Sequence, residues 1–252
     1  MTLPRTIPEV IRQLEQIISD CANRGIRQGY FAALYLRVTK EVDRKIREKY
    51  FDDNARMEQL DVIFANRFIM AYYQYQQKQS CVTSWRLAFD ACNKWPPLVM
   101  QHLLLGMNAH ISLDLGIAAA TVCSGSSIHN LQNDFNKINT ILAGLVDIVQ
   151  EELCEIWSLL KPVDWLAGRI DEKVAVFSMN IARDAAWNVA LQYALLNEPA
   201  QQDDFIRLRD EKVSAFGKRI IQHSFPVNFY IGISRLLEKG TVARKINILN
   251  RA

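Results

Sequence analysis

Apolar residues recur along the chain at helical spacing. Val10, Ile11, Leu14, Ile17, Ile18 and Cys21 fall on one face, after Thr6, Pro8 and Glu9 supply a capping pattern and before Gly25, which stops a helix. Phe31, Leu34, Tyr35, Val38, Val42 and Ile46 repeat the period. "FDDN" at 51–54 provides turn and cap residues for a third predicted helix, from about Ala55 to Lys78. Trp85, Ala88, Phe89 and Cys92 mark a short helix that ends before Pro96-Pro97, a pair that opens the next one. "CSGSS" breaks the chain at 123–127. A long helix then turns Leu131, Phe135, Ile138, Leu142, Leu145, Val149, Ile156 and Leu160 inward. Another is predicted from about Asp171 to Leu196, between a Pro162/Gly168 loop and Pro199, and shorter helices broken at Pro226 and Gly240 close the chain. With few alternating β-branched runs and no internal repeat, the expected class is all-α. One domain spanning 1–252, of nine or ten helices, would pack around a central apolar helix at about 98–121.

One stretch departs from this pattern. In "LLLGMNAHISLDLGIAAAT", residues 103–121, the polar residues Asn108, His110, Ser112 and Asp114 interrupt an apolar run at every second position. Period two by itself reads as a half-buried strand, but the flanks "VMQHLLLGM" and "GIAAAT" are apolar on nearly every side and favour a helix. On a helix, Asn108 and Ser112 share one side while His110 and Asp114 share nearly the opposite one. A buried polar group left unpaired costs about 1–3 kcal/mol, so each pair needs its own partners.

Composition narrows the class without naming a function. Thirty basic and 27 acidic residues leave a formal charge of +3, a modest excess spread along the chain that implies no nucleic-acid groove. Cys21, Cys81, Cys92, Cys123 and Cys154 are odd in number and form no C-x-x-C pair, which fits a reduced, cytoplasmic protein. The start "MTLPRTIPEVIRQLEQ" has no signal-peptide core, and the run from Leu98 to Cys123, though long enough for a bilayer, carries too many polar groups to be expected as a membrane span. There is no Gly-rich phosphate loop, no G-x-S-x-G and no H-E-x-x-H.

Candidate chemistry therefore rests on polar residues in apolar helices. His110 and Asp114, four apart, aim an imidazole nitrogen and a carboxylate at a common point and are the candidate catalytic pair, or the ligands of a metal if one is held. The H-x-x-x-D spacing resembles the metal helices of zinc-dependent phospholipases C and nucleases. Those need more histidines than His102, His129 and His223 supply, so one metal is the most that fits. "LDVIFANRFIMAYY" contributes Asp61, Asn66 and Arg67, and "LQNDFNKINTIL" contributes Asp134 and Asn139. The plain expectation for these is an Arg67–Asp114 or Arg67–Asp134 pair; the alternative is a convergence on a cavity where Arg67 holds an anionic group. Arg183 and Trp187, one turn apart, read as a stacked surface pair in the segment that also holds Asp171. "DDNARME" and "NDFNKIN" faintly resemble the acidic metal motifs of helical terpene cyclases, although the first sits where a helix cap is expected.

"LDVIFANRFIMAYY", "MQHLLLGMNAHISLDLGIAAA", "NDFNKINTIL" and "DEKVAVFSMNIARDAAW" together resemble the signature blocks of an uncharacterised, mainly bacterial family built on a domain of unknown function. The blocks fall in order over about residues 30–250, and Asn108-Ala109-His110-Ile111 with Asp114 is their most specific part. The resemblance implies one all-helical, soluble domain and no assigned reaction, cofactor or catalytic residue. Where some members have Asn in NAHINLDL, this chain has Ser112, a smaller group that leaves room for a wider pocket or one hydrogen bond fewer.

The expectation is a helical domain that binds a small, partly hydrophobic molecule at Asn108, His110 and Asp114, with Asp61, Asn66, Arg67 and Asp134 as neighbours. Phe64, Phe68, Tyr72 and Met107 would touch the ligand. In an enzymatic version His110 is the general acid/base, oriented by Asp114. The rival is a non-enzymatic interaction or scaffold protein whose polar cluster is structural; a single-metal hydrolase is the third reading. No cofactor, nucleic-acid partner or oligomeric state is indicated.

Overall fold

The structure, a computed structural model, describes residues 2–95, 97–157 and 179–251. The predicted helix start near Asp171, the Pro162/Gly168 loop and Leu160 lie outside those residues. Eleven α-helices and no strand occur among the described residues.

Local sequence accounts for most helix ends. Helix α1 (Ile7–Arg24) begins where the Thr6 side chain accepts from the Glu9 amide, and it stops at Gly25, whose φ of 66° lies in the left-handed region. Its buried stripe is Ile7, Val10, Leu14, Ile17, Ile18 and Cys21. Helix α2 (Gly29–Arg47) packs against it, and α3 (Asn54–Gln76) starts with Asp53 accepting from the Arg56 amide at 2.9 Å. Helix α4 (Thr83–Cys92) has no local cap. The amides of Thr83 and Ser84 donate instead to Asp210 of a different helix, at 2.6 and 2.9 Å and across 127 and 126 residues of sequence.

The central helix runs from Val99 to Val122 as one rod in three pieces. These are α5 (Val99–Ala109), a π-helical segment over His110–Leu115, and α6 (Gly116–Val122). It is long and apolar enough to cross a membrane, but 83% of its apolar window is buried inside the protein. Core packing, not lipid, accounts for its hydropathy. The polar interruption thus stays helical, as its flanks predict, but winds wider than an α-helix over the residues that include the polar pair. Such π segments are rare and recur at functional positions.

After the break at Cys123 and a 3₁₀ segment (Gly125–Leu131) come α7 (Gln132–Ile156), α8 (Met179–Tyr193), α9 (Pro199–Ile221), α10 (Phe225–Leu237) and α11 (Val242–Leu249). Helix α8 packs along α6 and the π segment, α9 along α4 and α5, and α11 closes against α1 and α2. Two close approaches require glycine. A Cβ on Gly106 would stand 2.4 Å from Phe31 Cδ2, and one on Gly116 would stand 2.6 Å from the Ala186 carbonyl. The first lets Phe31 slide beneath the central helix, and the second lets α8 lie against it.

Candidate functional site

The polar stretch sends its two pairs in different directions, as the helical reading requires. On one side the Asn108 side chain donates to the Val213 carbonyl at 2.9 Å, and the Ser112 carbonyl accepts from Arg209 Nε at 2.9 Å; both partners lie on α9. Asn108 is therefore a helix tie, separate from the His110–Asp114 cluster.

On the other side Asp114, 1% exposed, is surrounded by donors. Its Oδ1 accepts from Arg67 Nε at 2.7 Å, and its Oδ2 accepts from Trp85 Nε1 at 2.7 Å and lies 3.4 Å from His110 Nδ1. Helices α3, α4 and the π segment thus meet at one carboxylate. Burial acts to raise its pKa, but Arg67, His110 and Trp85 outweigh that effect and hold it below the ordinary aspartate value. Sequence reading anticipates the Arg67–Asp114 pair. It treats Trp85 only as core, because nothing in the local pattern says that its indole N–H reaches a carboxylate 29 residues away.

His110 sits in an aromatic box. Phe64 stacks on its ring with centroids 3.6 Å apart and 8° between planes, Tyr35 meets it edge-on at 4.4 Å, and Phe31 and Trp85 close the sides. Burial pushes its pKa down against the pull of Asp114, so the ring is neutral at physiological pH, with Nδ1–H facing the carboxylate. Its Nε2 has no hydrogen-bond partner. Of the expected ligand contacts, Phe64 touches the cluster directly. Phe68 lies in the core between Phe31 and Trp85, and the Tyr72 hydroxyl pairs with Cys21 Sγ at 3.6 Å.

Two expected neighbours stand elsewhere. Asn66 donates to the Pro4 carbonyl at 2.9 Å and ties the N-terminus to α3. Asp134 accepts from the Asp52 and Asp53 amides at 2.7 and 3.0 Å and from Arg56 at 2.9 Å, with Lys137 at 3.3 Å. That arrangement pins the start of α7 to the loop before α3. It also accounts for the two acidic motifs, which meet through backbone amides and the bases Arg56 and Lys137. Among the described residues no three His, Cys, Asp or Glu side chains are grouped to hold a metal. At Asp114 both oxygens are engaged by N–H donors, so a cation there would displace Arg67 or Trp85.

Asp61, by contrast, lies on the far side of Phe64, at a cavity of about 40 Å³ lined also by Tyr35, Leu60, Leu115, Phe135 and Arg183. Its Oδ2 is buried without a partner, and burial, helped by Asp43 and Glu58, raises its pKa to about 7. One more buried polar atom on the lining lacks a partner, Arg183 Nε. The Tyr35 hydroxyl, also on the lining, is faced by the Thr39 side chain. Arg183 corrects a sequence expectation: it is 2% exposed, not at the surface, and its guanidinium lies 4.4 Å from the Phe135 ring centroid while Nη2 donates to the Phe135 carbonyl at 2.5 Å. Trp187 packs on the Phe135 ring at 5.0 Å, so Phe135 takes the place in the stack that helical spacing gave to Trp187. Burial draws the Arg183 pKa down to about 10.

No curated protein and no solved structure matches the chain. A family model covers residues 7–223, nearly all of the packed helices described above, and on that match the chain belongs to the DUF5995 family of unknown function.

Proposed function

We propose that the chain binds a small, partly hydrophobic molecule in the cavity between α2, α3, α7 and α8, with the His110–Asp114 cluster as its rigid back wall. The observation that carries this reading is the presence of two buried, unpartnered polar atoms, Asp61 Oδ2 and Arg183 Nε, on residues lining one apolar cavity. Each such atom costs about 1–3 kcal/mol, which a ligand hydroxyl or amine can recover. A volume of 40 Å³ holds about one water in its present shape. The rim residues Val38, Phe64 and Ile138 are half-buried, so a larger apolar body extends outward past them.

Phe64 and Tyr35 belong to both regions: they line the cavity and clasp His110. The cluster thereby fixes two cavity walls, and this reading gives His110 a positioning role rather than proton transfer. The saturated carboxylate of Asp114 favours the scaffold reading for the cluster itself. Five free thiols support a reducing, cytoplasmic setting.

Native mass spectrometry and thermal-shift measurements with short-chain alcohols and amines test the proposal. A retained mass or a raised Tm is expected for the wild-type protein and its loss in Val42→Phe, which fills the cavity. No retained mass and no shift across the panel, or the same response in a Val42→Phe protein with an unchanged circular dichroism spectrum, overturns it.

A further inference from the structure

The whole-chain charge of +3 hides a strong asymmetry. Residues 212–252 contain eight Lys or Arg and one acid, Glu238, so the excess is concentrated at this end and not spread along the chain. The same segment carries a helix with a row of exposed apolar side chains. On α10, Phe229, Tyr230, Ile233, Leu236 and Leu237 are 57, 67, 42, 72 and 44% exposed. Trp95, 52% exposed, packs beside Gly232 of that helix. Lys218 and Arg219 precede the helix, Lys239 follows it and Lys94 adjoins Trp95; all four are exposed. The one acid is turned from the surface: the Glu238 side chain is 2% exposed and bonded to Arg235, to Lys245 at 2.8 Å and to the Val99 amide at 2.7 Å. Those bonds also fix the end of α10 to the start of the central helix, so its apolar face points outward on an anchored element.

We propose that the outward face of α10, with Trp95, docks on an anionic lipid bilayer. Aromatic and aliphatic side chains would sit at the level of the acyl boundary, and the flanking Lys and Arg would meet acidic headgroups, the arrangement of an in-plane interfacial helix. Charge complementarity selects this occupant over a second copy of the chain, because an isologous contact would bring the Lys and Arg of two copies together. It also favours lipid over nucleic acid, since half of these exposed apolar residues are aliphatic and the bases flank the apolar segment in sequence instead of alternating with its aromatic rings.

Co-sedimentation of the full chain with vesicles of phosphatidylcholine alone, or with about 30% phosphatidylserine, tests the proposal. Binding is expected to the anionic vesicles only and to fall as salt rises. Lys218→Glu, Arg219→Glu and Lys239→Glu should each weaken it about fivefold or more. The triple variant Phe229→Ser, Tyr230→Ser, Leu236→Ser changes only exposed side chains and should abolish binding with an unchanged circular dichroism spectrum. No binding to anionic vesicles overturns the proposal, as does unaltered binding by the triple variant. A concentration-dependent dimer in analytical ultracentrifugation that the triple variant abolishes, or RNA binding of equal strength, overturns it in favour of those partners.

Discussion

Asp114 and Asp61 are both carboxylates buried on apolar helices, and each acts on Tyr35, yet they end in opposite states. Asp114 collects three N–H donors from three elements and stays charged, with its pKa held down. Asp61 has an oxygen with no partner, faces a cavity, and is pushed up to about 7. The difference does not lie in burial, which is nearly complete for both; it lies in how many helices deliver a donor. A carboxylate whose bonds are all made holds helices together. One whose bonds are unmade has capacity left for a ligand, which is why the binding proposal rests on the Asp61 cavity.

The comparison can be broken by mutation, and the largest effect belongs to Asp114. Asp114→Ala leaves Arg67, the Trp85 indole and His110 without their acceptor and should cost about 3–5 kcal/mol in urea unfolding. The lower end is expected, since the Arg67 side chain keeps 21% of its surface exposed. A loss below about 1 kcal/mol would mean that the network contributes little.

Asp61→Asn should act with the opposite sign and depend on pH. The folded pKa of about 7 lies above an unfolded value near 4, so the folded state binds the extra proton between them. Stability from this group is therefore full below pH 4 and lost as pH rises to 7. The variant should match the wild type at pH 4 and exceed it by about 1–3 kcal/mol at pH 8. Asp114, with its pKa lowered, loses stability only as pH falls below about 4, so the two acids separate by window. Equal midpoints at pH 4 and pH 8, each relative to wild type, would show Asp61 to be hydrated and uncharacteristic of a dry wall.

The smallest change expected is His110→Phe. It keeps the stack on Phe64 and gives up a 3.4 Å contact, so a cost of about 1 kcal/mol should appear in the same denaturation experiment. A cost matching that of Asp114→Ala would make the histidine, not the carboxylate, the centre of the cluster.

Helix positions were largely legible because they depend on neighbours within one or two turns. Thr6, Gly25 and the stripe from Val10 to Cys21 delimit α1 by local chemistry, and the apolar flanks of "NAHISLDL" keep it helical. Helix α4 shows where that stops: its start is capped by Asp210, which no local pattern announces. The π turn at His110–Leu115 is equally silent in a periodicity reading, which has no term for the close packing of Phe31 and α8 on either side of it.

The candidate site divides in the same way. Read along the chain alone, Asp61, Arg67, Asn108, His110, Asp114 and Asp134 each need a partner from another helix, water or a ligand, because an apolar helical face offers none. The chain alone also dictates the pairing of His110 with Asp114, since four residues make one turn. The packing of distant helices settles the rest: Arg67 and Trp85 complete Asp114, Asp134 serves a loop cap, Arg183 is buried under Phe135, and Asp61 is left beside a cavity. Those outcomes depend on which helices cross where, and crossing is fixed by the fit of side chains distant in sequence, which periodicity does not encode.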